Sequence, residues 1–88
     1  MTDYKEPYPT IKDLIKNKDY DYVEYRNWIF GENIFAGCFS SVNGKIVSIN
    51  GDAYDPEERV IASEEWSSED IEKGLTIIVK KSVIKEGC

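Results

Sequence analysis

The apolar residues near the start of the chain recur with the period of a helix. Ile11, Leu14 and Ile15 stand at positions i, i+3 and i+4, which places them on one face of a helical turn. Thr10 precedes them, and Asp13 follows Thr10 by three residues, an arrangement that resembles a capping box with Asp in the place of Glu. The pattern predicts one short helix at about residues 10–17.

From residue 20 the pattern becomes that of strands. β-Branched and aromatic residues interleave with charged ones over 20–29, as a half-buried strand requires. Apolar runs at about 34–42 and 45–50 are separated by Asn43-Gly44, two residues that accept the positive φ angles of a type I′ turn. This part of the chain therefore predicts a strand followed by a hairpin.

The later part of the chain predicts two more strands, at about residues 59–66 and 75–81. Between them, Ser67 and Asp70 are placed to cap a single helical turn that runs through Lys73. With consecutive strands paired, we expect one small α+β domain over residues 1–88. Its short N-terminal helix packs on a five-strand antiparallel meander sheet.

Alternation along the strands predicts which side chains face the helix and which face away. The expected core face holds Val23, Tyr25, Phe35, Phe39, Val47, Ile49, Leu75, Ile77 and Val79. The expected outer face holds Tyr22, Glu24, Arg26, Cys38, Ser40 and Lys80. A one-residue slip in register would exchange the two sets.

Composition sets the class of protein. The chain has 88 residues, of which 41% are hydrophobic, and this favours one folded domain with its own core. No apolar run approaches the roughly 20 residues that a membrane-spanning helix needs. The sequence begins MTDYKEPYP, which lacks the basic and apolar regions of a signal peptide. We therefore expect a cytosolic location, with Cys38 and Cys88 as free thiols.

Acidic residues are concentrated in one fifth of the chain. Residues 52–72 contain nine carboxylates and one base, Arg59, so the local net charge is 1 − 9 = −8, whereas the whole chain has a net charge of −6. Such a surface suits a strongly basic partner, such as a protein groove that normally holds nucleic acid. The scattered lysines argue against direct binding of nucleic acid, which needs a basic stripe.

Enzymatic chemistry has little support in the sequence. The chain contains no histidine, the commonest general base and metal ligand, and its six single glycines form no phosphate-binding loop. The remaining enzymatic alternative is acid–base catalysis by a pair of carboxylates, either Asp52 with Asp55 or Glu64 with Glu65. Asp52 and Asp55, with the two glutamates that follow, form a weak calcium-ligand candidate whose spacing does not fit an EF-hand. We expect no enzyme activity, no cofactor and no metal site.

The acidic segment also contains two aromatic side chains that suit protein recognition. Aromatic anchors with carboxylates that pair with arginine are typical of protein interfaces. The predicted partner-binding residues are Asp52, Tyr54, Asp55, Glu57, Glu58, Glu64, Glu65, Trp66, Glu69, Asp70 and Glu72.

Several short stretches carry a resemblance to known proteins. The runs VEYR (23–26), NGKIVSINGDAY (43–54), EEW (64–66) and GLTIIV (74–79), with Gly37, resemble a group of small acidic proteins from phages and mobile elements of Gram-positive bacteria. In size, acidity and expected α+β order the chain is similar to anti-CRISPR proteins. That resemblance implies an inhibitor whose carboxylates stand in for nucleic acid in the groove of an RNA-guided nuclease.

The resulting hypothesis is a non-enzymatic phage or mobile-element inhibitor of a nucleic-acid-binding defence nuclease. One alternative is an immunity protein that blocks a nuclease toxin. Another is a binder that sequesters a small nucleotide signal with aromatics such as Tyr22, Tyr25, Trp28 and Tyr54. A general interaction domain is the remaining alternative.

Overall fold

The computed structural model describes residues 1–80, which contain six strands and one helix. In chain order they are β1 (Thr2–Asp3), α1 (Ile11–Ile15), β2 (Tyr20–Ile29), β3 (Glu32–Val42), β4 (Lys45–Ser48), β5 (Val60–Trp66) and β6 (Gly74–Lys80). Lys81, predicted as the end of the last strand, and Cys88, predicted as a free thiol, lie outside the described residues.

The predicted fold class is wrong. The structure is mostly β, with 54% strand in a single mixed six-stranded sheet, and not an α+β fold with a helix on a five-strand antiparallel sheet. The strand order is β1-β5-β6-β2-β3-β4, and β2 and β6 run parallel at the centre. The predicted meander ends at β4, because the next strand, β5, does not pair with β4. It crosses to the other side of β2 and adds β6 and β5 on that flank.

One face of this sheet carries the hydrophobic core. The core consists of Ile11, Ile15, Tyr20, Val23, Tyr25, Phe39, Val60, Leu75, Ile77 and Val79. The capping box predicted for α1 is confirmed, since Thr10 Oγ1 accepts from the Asp13 amide and Asp13 Oδ2 accepts from the Thr10 amide. The cap fixes where the helix begins, and its two isoleucines are fully buried.

Three residues predicted for the core face are exposed instead. A β-bulge pairs Tyr25 with Gly37 but Arg26 with Phe35, so Ala36 has no partner and Phe35 moves to the outer face. Val47 lies opposite Ser40 and Ile49 lies beyond the end of β4, whereas Ile46 packs against the core. The exposed fractions of Phe35, Val47 and Ile49 are 49%, 42% and 48%.

Two hairpins with two-residue turns join β2, β3 and β4. Asn43 and Gly44 have φ angles of 54° and 79°, which confirms the type I′ turn predicted there. Phe30 and Gly31, between β2 and β3, have nearly the same angles, 52° and 77°. The helical turn predicted after β5 is wrong, because residues 67–73 form bends, held by the Ser68 amide donating to the Ile71 carbonyl at 2.7 Å.

Residues 49–59, here called the crossover loop, connect β4 to β5 across the core face. The carbonyls of Glu58 and Pro56 accept from the first two helical amides, those of Ile11 and Lys12, each at 2.9 Å. These amides have no partner inside the helix, so the loop supplies the bonds that the helix start lacks. The Tyr54 ring packs on the rings of Tyr25 and Phe39, with centroid distances of 5.0 and 4.9 Å.

Gly37 makes room for Tyr54. A Cβ atom at this position would collide with the Tyr54 hydroxyl oxygen, and the φ angle of Gly37, 152°, is one that other residues rarely adopt. We expect Gly37→Ala to lower the free energy of unfolding by about 1–3 kcal/mol. Urea denaturation followed by circular dichroism measures this change.

The double variant Gly37→Ala/Tyr54→Phe separates the two causes. Without the hydroxyl the nearest ring atom to the new Cβ is 3.4 Å away, an ordinary contact distance. Gly37→Ala should therefore lower the free energy of unfolding less in the Tyr54→Phe background, because only the unfavourable φ angle remains there. If Gly37→Ala lowered the free energy of unfolding equally in both backgrounds, the close approach of the Tyr54 hydroxyl to Gly37 would be wrong.

Candidate partner-binding surface

The predicted partner-binding residues form two groups, at the two ends of β5. The first group is in the crossover loop and contains Asp52, Tyr54, Asp55, Glu57 and Glu58; the second contains Glu64, Glu65 and Trp66 at the end of β5 and Glu69, Asp70 and Glu72 in residues 67–73. The seven residues of β5 span roughly 20 Å at about 3.3 Å per residue. The acidic surface is therefore elongated.

Several carboxylates of the crossover loop have partners within the protein. Lys12 Nζ donates to Glu57 Oε2 at 2.7 Å, and the Tyr25 hydroxyl donates to Glu58 Oε1 at 2.6 Å. Burial, followed by the Glu58 hydrogen bond, raises the pKa of the Tyr25 hydroxyl, which keeps it protonated as a donor. Asp55 accepts from the Glu57 amide at 2.9 Å. These contacts fix the loop on the core face.

A hollow of about 460 Å³ lies between this loop and the sheet. It is lined by Tyr25, Ala36, Asp52, Ala53, Tyr54, Asp55 and Glu58. Three of these seven residues are acidic and none is basic, so the lining of the hollow is negatively charged. Tyr54, predicted as an anchor for a partner, directs its ring onto the core instead.

At the other end of β5, Glu65 is held by two donors. The Tyr20 hydroxyl donates to Glu65 Oε2 at 2.5 Å, and Lys18 Nζ donates to the same oxygen at 3.2 Å. These two hydrogen bonds, that of Tyr20 first, lower the pKa of the Glu65 carboxyl below its ordinary value of 4.5. Glu65 is therefore a carboxylate at neutral pH and joins the start of β2 to the end of β5.

Trp66 lies flat over Gly74. An added Cβ at Gly74 would come within 2.7–2.8 Å of three Trp66 ring atoms, so the ring face covers that glycine. The Trp66 indole donates to Thr76 Oγ1 at 2.9 Å, and Thr76 donates to Glu24 at 3.0 Å. Glu24 in turn pairs with Arg26 at 2.9 Å. Trp66 is thus the end of a polar chain that crosses three strands on the outer face.

A groove of about 840 Å³ opens beside this end of the sheet. It is lined by Asn17, Lys18, Asp19, Tyr20, Asn43, Glu65, Trp66, Ser67, Glu72, Lys73 and Gly74. Both signs of charge are present, with Lys18 already paired to Glu65. The groove therefore has less negative character than the hollow at the crossover loop.

Most of the acidic surface is available to a partner. Eight of its nine carboxylates are exposed, and Glu58 is half-buried. Five of them form no ion pair and no side-chain hydrogen bond within residues 1–80: Asp52, Glu64, Glu69, Asp70 and Glu72. Arg59, the base inside the segment, donates to the Tyr8 carbonyl at 2.6 Å. The negative charge is therefore not cancelled locally.

Several exposed apolar residues, which the sequence analysis did not predict, lie near the turn between β2 and β3. Phe30 is 85% exposed at the turn between β2 and β3, and Trp28, Ile34 and Phe35 are 40–49% exposed on the flanking strands. The sequence signal was the Phe30-Gly31 pair between two strand patterns, which is a less familiar turn than Asn-Gly.

Other classes of site receive no geometric support in the described part of the chain. Within residues 1–80, no three cysteine or carboxylate side chains are grouped so that they could hold a metal ion. In the same residues, no helix is long and apolar enough to cross a membrane.

Comparisons with known proteins add no assignment. None of the protein-family models matches the chain, and neither the curated proteins nor the solved structures contain a significant match.

The Tyr20–Glu65 bond predicts a pH-dependent stability. A lowered native pKa stabilises the fold above the ordinary pKa of about 4.5, and this contribution is lost as the pH falls through the native value. Tyr20→Phe removes the hydrogen bond that contributes most to the lowered pKa of Glu65. Because Glu65 is largely exposed, we expect this variant to lower the free energy of unfolding by only about 1 kcal/mol at pH 7.

Unfolding in urea at several pH values measures this effect. The difference between wild type and Tyr20→Phe should be constant from pH 7 down to about 5 and should shrink as the pH falls further below the ordinary pKa. Tyr8→Phe is the matched control, because the Tyr8 hydroxyl makes no hydrogen bond within residues 1–80. A Tyr20→Phe deficit that is the same at pH 3 and pH 7 would contradict the role given to Glu65.

Proposed function

We propose that this chain is a non-enzymatic inhibitor, encoded by a phage or mobile element, that acts in the cytoplasm of a bacterial host. Its partner is a basic, nucleic-acid-binding defence protein, and an RNA-guided CRISPR nuclease is the specific candidate. The observation that carries the proposal is the exposed acidic surface over residues 52–72, where eight of nine carboxylates are exposed. The sequence resemblance to small acidic phage proteins supports the same partner class.

The length and charge of this surface suit a site made for nucleic acid. Roughly 20 Å of duplex DNA carries about 12 phosphate charges, since one charge occurs per about 1.7 Å of axis. The two acidic groups lie at the two ends of β5, about the same distance apart, and residues 52–72 have a local net charge of −8. A groove lined with arginine and lysine that holds phosphates can therefore pair with these carboxylates instead.

An RNA-guided nuclease offers two such grooves. It reads a short duplex motif through arginine side chains, and it holds nucleic acid in positively charged channels. Occupation of either one excludes DNA without any chemistry by the inhibitor. The proposed mechanism is therefore competition for a basic surface, in which charge attraction accelerates the encounter.

Competition with DNA tests the proposal directly. The protein is bound to a purified Cas9-type nuclease loaded with guide RNA, and target DNA is titrated in while complex formation is followed by fluorescence anisotropy. We expect DNA to displace the protein, and a rise from about 50 to 200 mM salt to slow its association. Simultaneous binding of DNA and protein with unchanged affinities would refute the mimicry.

Neutralisation of the unpaired carboxylates tests which charges matter. The variant with Asp52, Glu64, Glu69, Asp70 and Glu72 replaced by their amides should bind at least about tenfold more weakly, mainly through slower association. Its melting temperature should stay close to wild type, because exposed unpaired charges contribute little to stability.

A charge-matched pair of variants separates position from net charge. Glu69→Gln/Asp70→Asn and Glu6→Gln/Glu32→Gln each remove two negative charges, but only the first pair lies within residues 52–72. The first should weaken binding to the nuclease more than the second. Equal effects would mean that net charge alone governs the association.

A further inference from the structure

β3 is much longer than β4, the strand that pairs with it on the side away from β2. β4 pairs only with Phe39–Val42 and ends at Ser48, whereas β3 begins at Glu32. Within residues 1–80, no strand lies beside the first half of β3 on that side. Residues 32–36 are all exposed. The first half of β3 is therefore an edge of the sheet.

The backbone groups along this edge alternate in direction. The turn at 30–31 has two residues, so the residues that flank it exchange both backbone hydrogen bonds. From there the N–H and C=O groups of Ile34 point toward β2, and those of Asn33 and Phe35 point away from it. Within residues 1–80, the amides of Asn33 and Phe35 have no backbone acceptor. Residues 33–35, here called the open edge, thus offer two donors to another strand.

The open edge lacks the usual protection against pairing. Edge strands are commonly blocked by proline, by lysine or by other charged side chains. Asn33, Ile34 and Phe35 are uncharged, and none is proline. The turn at 30–31 and the bulge at Ala36 limit the open edge at its two ends. It therefore has room for one short extended segment.

The charge beside the open edge differs between the two faces of the sheet. On the core face, Ala36 lines the hollow at the crossover loop together with Asp52 and Asp55, and no base lines it. On the outer face, Arg26, already in an ion pair, lies over the Phe35 ring at 5.9 Å from its centroid. Successive side chains of an added strand point to opposite faces. Those on the core face meet negative charge, so a basic side chain fits there.

A second copy of this chain does not supply the required base. Glu32 is the one charged residue of β3, so two open edges paired with each other bring an acid and no base toward each hollow. The net charge of −6 also opposes self-association. An extended segment of a basic protein supplies both the backbone partners and the base.

We propose that an extended segment of the basic partner protein adds to the sheet as a further strand beside the open edge, with an arginine or lysine of that segment in the hollow at the crossover loop. This inference rests on the proposed function and deepens it, because it states how the partner is held. In strand addition, backbone hydrogen bonds provide affinity and side-chain pockets provide specificity. Here the carboxylates of the hollow select the base.

Asn33→Pro and Asn33→Ala are a matched pair of variants that tests the added strand. Both remove the side chain that accepts from Arg26 Nε, but only proline removes the amide that points to the open side. Proline is tolerated at an edge position of this kind, so the two melting temperatures should be similar. In surface-binding measurements with a guide-loaded Cas9-type nuclease, Asn33→Pro should bind at least about tenfold more weakly than Asn33→Ala.

Hydrogen exchange of the wild type tests the added strand without any substitution. Exchange proceeds in the free protein and in the nuclease complex, and it is read by NMR after quenching and dissociation. In the free protein the amides of Asn33 and Phe35 should exchange faster than that of Ile34, which bonds to β2. In the complex both should slow at least about tenfold. Unchanged exchange of both amides in the complex would refute the added strand, even if Asn33→Pro did not fold.

Two charge-matched variants test the base in the hollow. Asp52→Asn/Asp55→Asn and Glu69→Gln/Asp70→Asn each remove two negative charges, but only the first pair lines the hollow. The first should accelerate dissociation of the nuclease complex, because it removes the partners of a bound base. The second should mainly slow association. Equal dissociation rates for the two variants would contradict a base in the hollow.

The same measurements separate the two proposals. If wild type does not bind the nuclease, the proposed function fails and the added strand fails with it. If wild type binds and Asn33→Pro retains the affinity of Asn33→Ala, only the added strand is wrong. Sedimentation equilibrium of the free protein should show a monomer. A dimer that Asn33→Pro converts to a monomer would mean that a second copy occupies the open edge, and this would also overturn the inference.

Discussion

The path of the crossover loop over the core face is the constraint on which the rest of the structure depends. It takes the chain from β4, on one flank of β2, to β5 on the other flank, so that β6 pairs with the free side of β2. Its fixed points are the Tyr54 ring above Gly37 and the two carbonyls that bind the first amides of α1. Because the same loop contains Asp52 and Asp55, the core itself determines where part of the acidic surface lies.

Local patterns in the sequence predicted local structure, but they did not predict which strands pair over long distances. The Thr10–Asp13 cap and the Asn43-Gly44 turn depend on residues that are near in sequence, so their chemistry is readable there. The position of β6 depends on partners about 50 residues away. A signal for it existed, since the run Leu75–Val79, apolar except for Thr76, is buried on both faces, as central strands are. The signal for the bulge at Ala36 was Gly37, since a single glycine inside a strand pattern often marks a bulge, and this bulge places Phe35 on the outer face.

The candidate site, too, was predictable from the sequence only in part. The concentration of acids over residues 52–72 is a property of the sequence, but which carboxylates already have partners is a property of the fold. Lys12 with Glu57 and Lys18 with Glu65 are 45 and 47 residues apart, so no sequence window brings them together. The exposure of Phe30 and Phe35 was missed because it depends on the Phe30-Gly31 turn and on the bulge at Ala36, which together set the register of β2 and β3.

The parallel pairing of β2 with β6 also sets the order in which the protein can be assembled during its synthesis. Glu24 and Thr76 are hydrogen-bonded neighbours 52 residues apart in sequence. At roughly 5–20 residues per second, a ribosome needs about 3–10 s to make the residues between them. During this interval β2 has β3 as a neighbour but lacks β6, so Val23 and Tyr25 stay accessible. The centre of the finished sheet is therefore completed only after residues 74–80 have been made.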